Sequence, residues 1–143
     1  MWSKTTEYAI RALVQVAVCN IGGHRPGFRK IAESIDAPVQ FTAKILQTLS
    51  GAGLVNSVRG RGGGFFFDPA SPELKLSEVI RTLEGKAYFS ACIAGLPECD
   101  ADHPCPLHSG FTRIRNDLVT LAEQETIQGL ARKIAEGEGR LKR

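Results

Sequence analysis

No apolar run in this sequence is long enough to cross a bilayer. The uncharged run Ala12 to Asn20 falls far short of the roughly 20 residues that a spanning helix needs, and no charged, apolar and small-residue leader precedes it. A cytoplasmic address is the expectation. Cysteine is scarce as well: there are four, and none stands in a Cys-x-x-Cys pair. A dithiol redox centre therefore has no support, and no apolar catalytic pocket is signalled around the thiols, so an enzyme is not expected. Without an export signal, two disulfides are also a poor use of these cysteines. Nor does the chain lack a core, because 43% of it is hydrophobic and 23% charged, which argues against disorder.

What is present fits one globular unit with an extension, since 143 residues leave no room for two full-sized domains. The charge is unevenly placed. Residues 1–67 hold eight Lys and Arg against three acids, whereas the remainder holds ten against twelve. A basic N-terminal half points toward a polyanion.

Apolar positions Tyr8, Ala9, Ala12, Leu13, Val16 and Ala17 recur at helical spacing behind Ser3 as N-cap, which predicts a long buried helix to about Ile21. Phe28, Ile31, Ala32 and Ile35 predict a short second helix ending near Asp36. After a brief turn, Pro38 starts a third, with Phe41, Ile45, Leu46 and Leu49 on one face and Gly53 as its stop. Two short helices across a tight turn form a helix-turn-helix pattern. Val55–Val58 and Phe65–Phe67 read as strands around the turn Arg59-Gly60-Arg61-Gly62-Gly63-Gly64, so a wing follows directly. Beyond a Pro69/Pro72 linker, Ser77 is placed to cap a helix carrying Val79, Ile80 and Leu83. Residues 85–106 show neither helix nor strand. Helical spacing resumes at Phe111, Ile114, Leu118 and Leu121, and again at Ile127, Leu130, Ala131 and Ile134 behind Thr126, with a fraying tail. The fold class is mainly α with a small β-hairpin.

A winged helix-turn-helix on the basic half of the chain predicts binding to double-stranded DNA. Gln40, Thr42, Lys44 and Gln47 lie at the start and on the polar face of the third helix, where long polar side chains reach base edges or phosphates. Arg59 and Arg61 sit in a glycine-rich turn that brings backbone close to phosphate while guanidinium groups enter a groove. Lys4 completes the DNA-facing set.

The other constellation is Cys92-x6-Cys99-x5-Cys105-x2-His108, three thiols and an imidazole in one loop just before a helix. Such donors suit zinc and iron-sulfur clusters alike, and spacing does not separate them. His103 is held back from the set by Pro104 and is expected at the surface. Cys19, beside Val16, is expected to be a core thiol.

Three stretches make the chain resemble the IscR/NsrR superfamily of bacterial winged-helix regulators: Ser-Lys-Thr-Thr-Glu-Tyr-Ala-Ile-Arg-Ala-Leu at the start, Gly-Leu-Val-Asn-Ser-Val-Arg-Gly-Arg-Gly-Gly-Gly at the wing, and the three-cysteine loop. The resemblance spans about residues 1–130. It implies an iron-sulfur cluster on Cys92, Cys99 and Cys105, with His108 as fourth ligand to a 2Fe-2S centre. Glu7 matches an acidic position that can complete a cluster from the partner subunit, which keeps 4Fe-4S as the alternative; zinc or bare thiols would make a regulator without a cluster. The resemblance also implies a homodimer paired through the helix from about Ser109 to Gln124, bound to a roughly palindromic operator. Where related proteins carry a glutamate that discriminates operators, this chain has Ala43. The expected organisation is a DNA-binding domain at 1–84, a cluster loop at 85–108, and a dimerisation helix with a C-terminal helix at 109–143. Function follows as a regulator, with repression the expected direction, that senses cluster supply, redox stress or nitric oxide through the order of its cysteine loop.

Overall fold

The computed structural model describes residues 1–142. Its elements run α1 (Lys4–Ile21), α2 (Phe28–Ile35), α3 (Val39–Gly51), β1 (Asn56–Val58), β2 (Gly64–Phe66), α4 (Leu76–Glu84), a 3-10 turn (Lys86–Phe89), α5 (His108–Gln124) and α6 (Ile127–Ala135). Ser3 caps α1, its hydroxyl accepting from the Thr6 backbone N–H at 3.3 Å. From α1, Leu13, Val14 and Val16 enter a core shared with Ile31 and Ile35 of α2, Ile45, Leu46 and Leu49 of α3, and Val79 and Ile80 of α4. Helical periodicity puts these apolar residues on one stripe, and their removal from water is the main force assembling the domain.

The last helix belongs to the same core. Ile127 and Ala131 of α6 are fully buried against it. The turn before α6 is stitched to the linker before α4 by Leu76 N–H donating to Glu125 O at 2.9 Å and Ile127 N–H donating to Leu74 O at 2.8 Å. Glu73 adds a polar tie: Arg132 donates to both its carboxylate oxygens and Thr126 to one, and these bonds, Arg132 first, hold the carboxyl down at about 2.

The strands pair antiparallel, with Asn56 opposite Phe66 and Val58 opposite Gly64. The wing is fastened at its root. Phe65 N–H donates to Pro26 O, while Asn20 accepts from Phe67 N–H and donates to the carbonyls of His24 and Phe65. Gly64 has φ +143°, and a Cβ there would lie 2.2 Å from the Arg25 carbonyl oxygen. Neither backbone can yield without breaking the root, so Gly64→Ala is expected to cost about 3 kcal/mol in urea unfolding. Gly139→Ala, outside any helix, with open space around its Cβ and no positive φ, serves as the near-neutral comparison.

Four local expectations are corrected. The first strand is one residue shorter than Val55–Val58 because Val55 turns into the core, and the second is shifted by one position from Phe65–Phe67 to Gly64–Phe66, with Phe67 bonded to Asn20. Lys75, not Ser77, occupies the N-cap of α4, and Ser77 is buried inside the first turn. A 3-10 turn interrupts the stretch expected to be irregular from 85 on, placing Tyr88 and Phe89 against the core. The tail does not simply fray: Leu141 packs on the core and Lys142 donates to the Glu33 carbonyl, since an apolar side chain near a chain end still gains by burial. Arg143 lies outside the described residues.

Candidate nucleic-acid interface and metal site

The third helix and the wing converge on one face. A cleft between them is lined by Phe28, Ala43, Gln47, Ser50, Ser57 and Arg59, so the spacing of the two motifs along the chain becomes a single surface. Gln40, Lys44 and Gln47 are exposed on α3, and Arg59 and Arg61 on the wing turn. Gly60 and Gly62 in that turn have φ of +89° and +71°, a backbone that L side chains rarely adopt and that glycine reaches freely. Thr42 is the correction: it is 1% exposed, and its hydroxyl donates to Pro38 O at 2.9 Å. Position 42 falls on the stripe of Ile45, Leu46 and Leu49, so the same periodicity that exposes Lys44 turns Thr42 inward. Lys4 stands away from the cleft, in the first turn of α1, paired with Glu7 at 2.9 Å.

Exposed Arg25, Arg29 and Lys30 were missed by motif reading. Arg25 lies over the Phe66 ring, 4.0 Å from its centroid, which holds a cation at the wing root. The clustering of three bases at the start of the helix-turn-helix, Arg25 just before α2 and Arg29 and Lys30 in its first turn, was the available signal. Replacing Arg59 by alanine is expected to weaken duplex binding and reduce the slope of log affinity against log salt by about one. Titration across salt by fluorescence anisotropy reads this, and an unchanged slope would remove the wing from the interface.

The four side chains expected to ligate a metal come together as two pairs. Cys92 Sγ is 3.9 Å from Cys105 Sγ, and Cys99 Sγ is 3.5 Å from His108 Nδ1. Two ligands on one tetrahedral metal, with bonds near 2.0–2.3 Å, stand roughly 3.5–3.8 Å apart. Each pair thus has the span of one metal's edge. Among the described residues, no three His, Cys, Asp or Glu side chains are grouped for a single ion. The Cys92 thiol is drawn below its ordinary range, first by the Leu96 backbone N–H and further by those of Ala94 and Gly95 and by Cys105. Amide donors turned onto a sulfur favour the thiolate that a metal requires.

His108 is the first residue of α5, so the helix fixes its direction while the loop supplies the thiols. His103 is exposed and bonded to Asp100 at 2.9 Å. Glu7 is engaged by Lys4 within its own chain, and this pairing, foremost, holds its carboxyl below the usual range. Cys19 is half-buried rather than in the core, with Gln15 at 3.5 Å, because its place on α1 falls at the edge of the buried stripe. Arg115 is a second residue the linear pattern did not reveal: its guanidinium reaches Cys99 Sγ at 3.2 Å, a contact across sixteen positions with no local signature.

α5 carries a different kind of surface. Of its 17 residues only Ala122 is buried, whereas Ile114 is 56% and Leu121 49% exposed. Among the described residues, no helix is long and apolar enough to cross a membrane.

The family described as Rrf2, iron-dependent transcriptional regulator, matches residues 2–133. The chain is 33% identical over 116 residues to the HTH-type transcriptional repressor NsrR of Streptomyces coelicolor, covering 81% of this chain and 73% of that protein. Two solved structures share the fold. CymR (YrzC), the global cysteine regulator of B. subtilis, superposes with a TM-score of 0.74 at 23% identity, covering 92% of this chain and 96% of that one. IscR of T. potens gives a TM-score of 0.71 at 21% identity, covering 97% and 91%.

Proposed function

The chain belongs to the Rrf2 family of winged-helix transcriptional regulators, and on that premise we propose that it is a homodimeric repressor whose grip on a palindromic operator depends on a 2Fe-2S cluster held by Cys92, Cys99, Cys105 and His108. The observation that carries the cluster is the division of four donors into two pairs of metal-edge spacing. A mononuclear zinc site would need all four around one point, while a binuclear centre needs one pair for each iron. Cys92 with Cys105, and Cys99 with His108, are those pairs. When bound, the cluster supplies a one-electron, oxidant-labile centre that links cell chemistry to protein conformation.

The chain's own residues do the rest. The cysteine loop has few buried groups, so its order depends on what its donors hold. The segment leading into it is tied to the chain's first residues and the first turn of α1 by Tyr88 O–H donating to Met1 O and by Glu84 at the end of α4, which accepts from Ser3 N–H and Thr6 O–H. The loop's end runs directly into α5. Ordering the loop therefore sets α5 relative to the helix on which the DNA-binding domain is built. A 4Fe-4S centre completed by Glu7 would require release of that carboxylate from Lys4 and its donation to the partner subunit.

Iron and acid-labile sulfide analysis of anaerobically reconstituted protein, with its visible spectrum and duplex affinity, tests the reading. Equal iron and sulfide, a coloured product and an affinity that differs between the cluster-bound and iron-free forms are expected. A colourless, iron-free protein after reconstitution would overturn the cluster and leave a zinc or thiol regulator.

A further inference from the structure

One guanidinium joins the two halves of the donor set. Arg115 Nη1 lies 3.2 Å from Cys99 Sγ, 3.4 Å from the Ala91 carbonyl and 3.5 Å from that of Ser90. Ser90 and Ala91 immediately precede Cys92, so Arg115 grips the backbone beside one pair and the sulfur of the other. His108 and Arg115 are seven residues apart, two turns of α5, and lie on the same face. The helix that presents the imidazole also presents the group that holds its paired thiol.

We propose that Arg115 is a positioning residue for the cluster: it fixes Cys99 beside His108, draws the Ser90–Cys92 limb toward that pair, and places a positive charge on a ligand sulfur. The proposal rests on the cluster reading given above. A permanent cation hydrogen-bonded to a coordinating thiolate favours the more negative, reduced form of the centre and opposes loss of the sulfur to solvent. Partners of metal ligands of this kind commonly change metal retention by about 10–100-fold when removed.

The test compares wild type, Arg115→Gln and Arg115→Lys after anaerobic reconstitution with iron and sulfide. Read out are the visible spectrum, the reduction potential by titration with an external reductant, and the rate of bleaching by an iron chelator. Arg115→Gln is expected to acquire the cluster, bleach about 10–100-fold faster and show a more negative potential. Arg115→Lys retains the charge on a shorter side chain that does not span from α5 to Cys99 and the Ser90 and Ala91 carbonyls together, so its potential returns toward wild type while fast bleaching persists. Thermal unfolding of the three iron-free proteins separates a structural role: a lowered midpoint with an unchanged potential in both variants would overturn the proposal. So would wild-type bleaching and potential throughout. A wild-type protein that takes up no iron would instead sink the cluster reading, and this assignment with it.

Discussion

Replacing Ile114 and Leu121 together by glutamate is expected to give a folded monomer whose operator affinity falls by about 10²–10⁴-fold. Leu107, Phe111, Ile114, Leu118 and Leu121 are spaced four, three, four and three apart, the interval that keeps one seam facing a partner helix. Leu107, Ile114 and Leu121 are exposed in the single chain, and α5 buries only Ala122. The helix thus contributes little to the fold of one chain while displaying an apolar stripe that a second copy would cover. Charge on the stripe should separate the chains without unfolding them. Each released chain then meets a half-site alone, and the gain from joining two heads is lost. Sedimentation together with binding to duplexes selected from a random library reads both effects. Unchanged association and unchanged affinity would rule out α5 as the dimer contact.

The second large effect concerns the ligands. Substituting Cys92, Cys99 or Cys105 by alanine is expected to lower iron from about two atoms per chain to near zero, because each change leaves one iron with a single protein donor. His108→Cys should keep the cluster and shift its potential to more negative values, since imidazole ligation raises the potential relative to thiolate. Glu7→Ala should leave spectrum and iron content as they are. Loss of colour on Glu7→Ala with retention on His108→Ala would reverse the assignment and favour the shared four-iron centre. Iron analysis and absorption spectra of the variants decide the matter.

Much of the fold was legible in the residues. Helical periodicity located α1, α2, α3 and α6 to within about two residues at each end and the middle of α5, whose bounds came closer through the family resemblance, and the glycine-rich turn between β-prone segments marked the wing. Errors came where a local rule met a tertiary one. Ser77 reads as a cap, yet burial of Leu76 carried α4 past it. Thr42 reads as polar surface, yet the i, i+3, i+4 stripe of α3 turned it into the core. Residues 86–89 carry too few turns for periodicity to register, so the 3-10 segment escaped notice. The metal donors were named from their spacing, but their grouping was not, because a loop rich in Gly and Pro imposes no period on its side chains.

The order of chemical groups along the chain, and the faces they take on regular helices, were determined by the sequence alone, since both depend on neighbours within a few residues. Tertiary structure decided what distant residues become together. It brought the four expected donors together as two pairs, set Arg115 against Cys99, seated Gly64 on the Arg25 carbonyl, and closed α3 and the wing into one cleft. Each of those contacts spans a loop whose path is chosen by the burial of the whole core, and no local pattern encodes it.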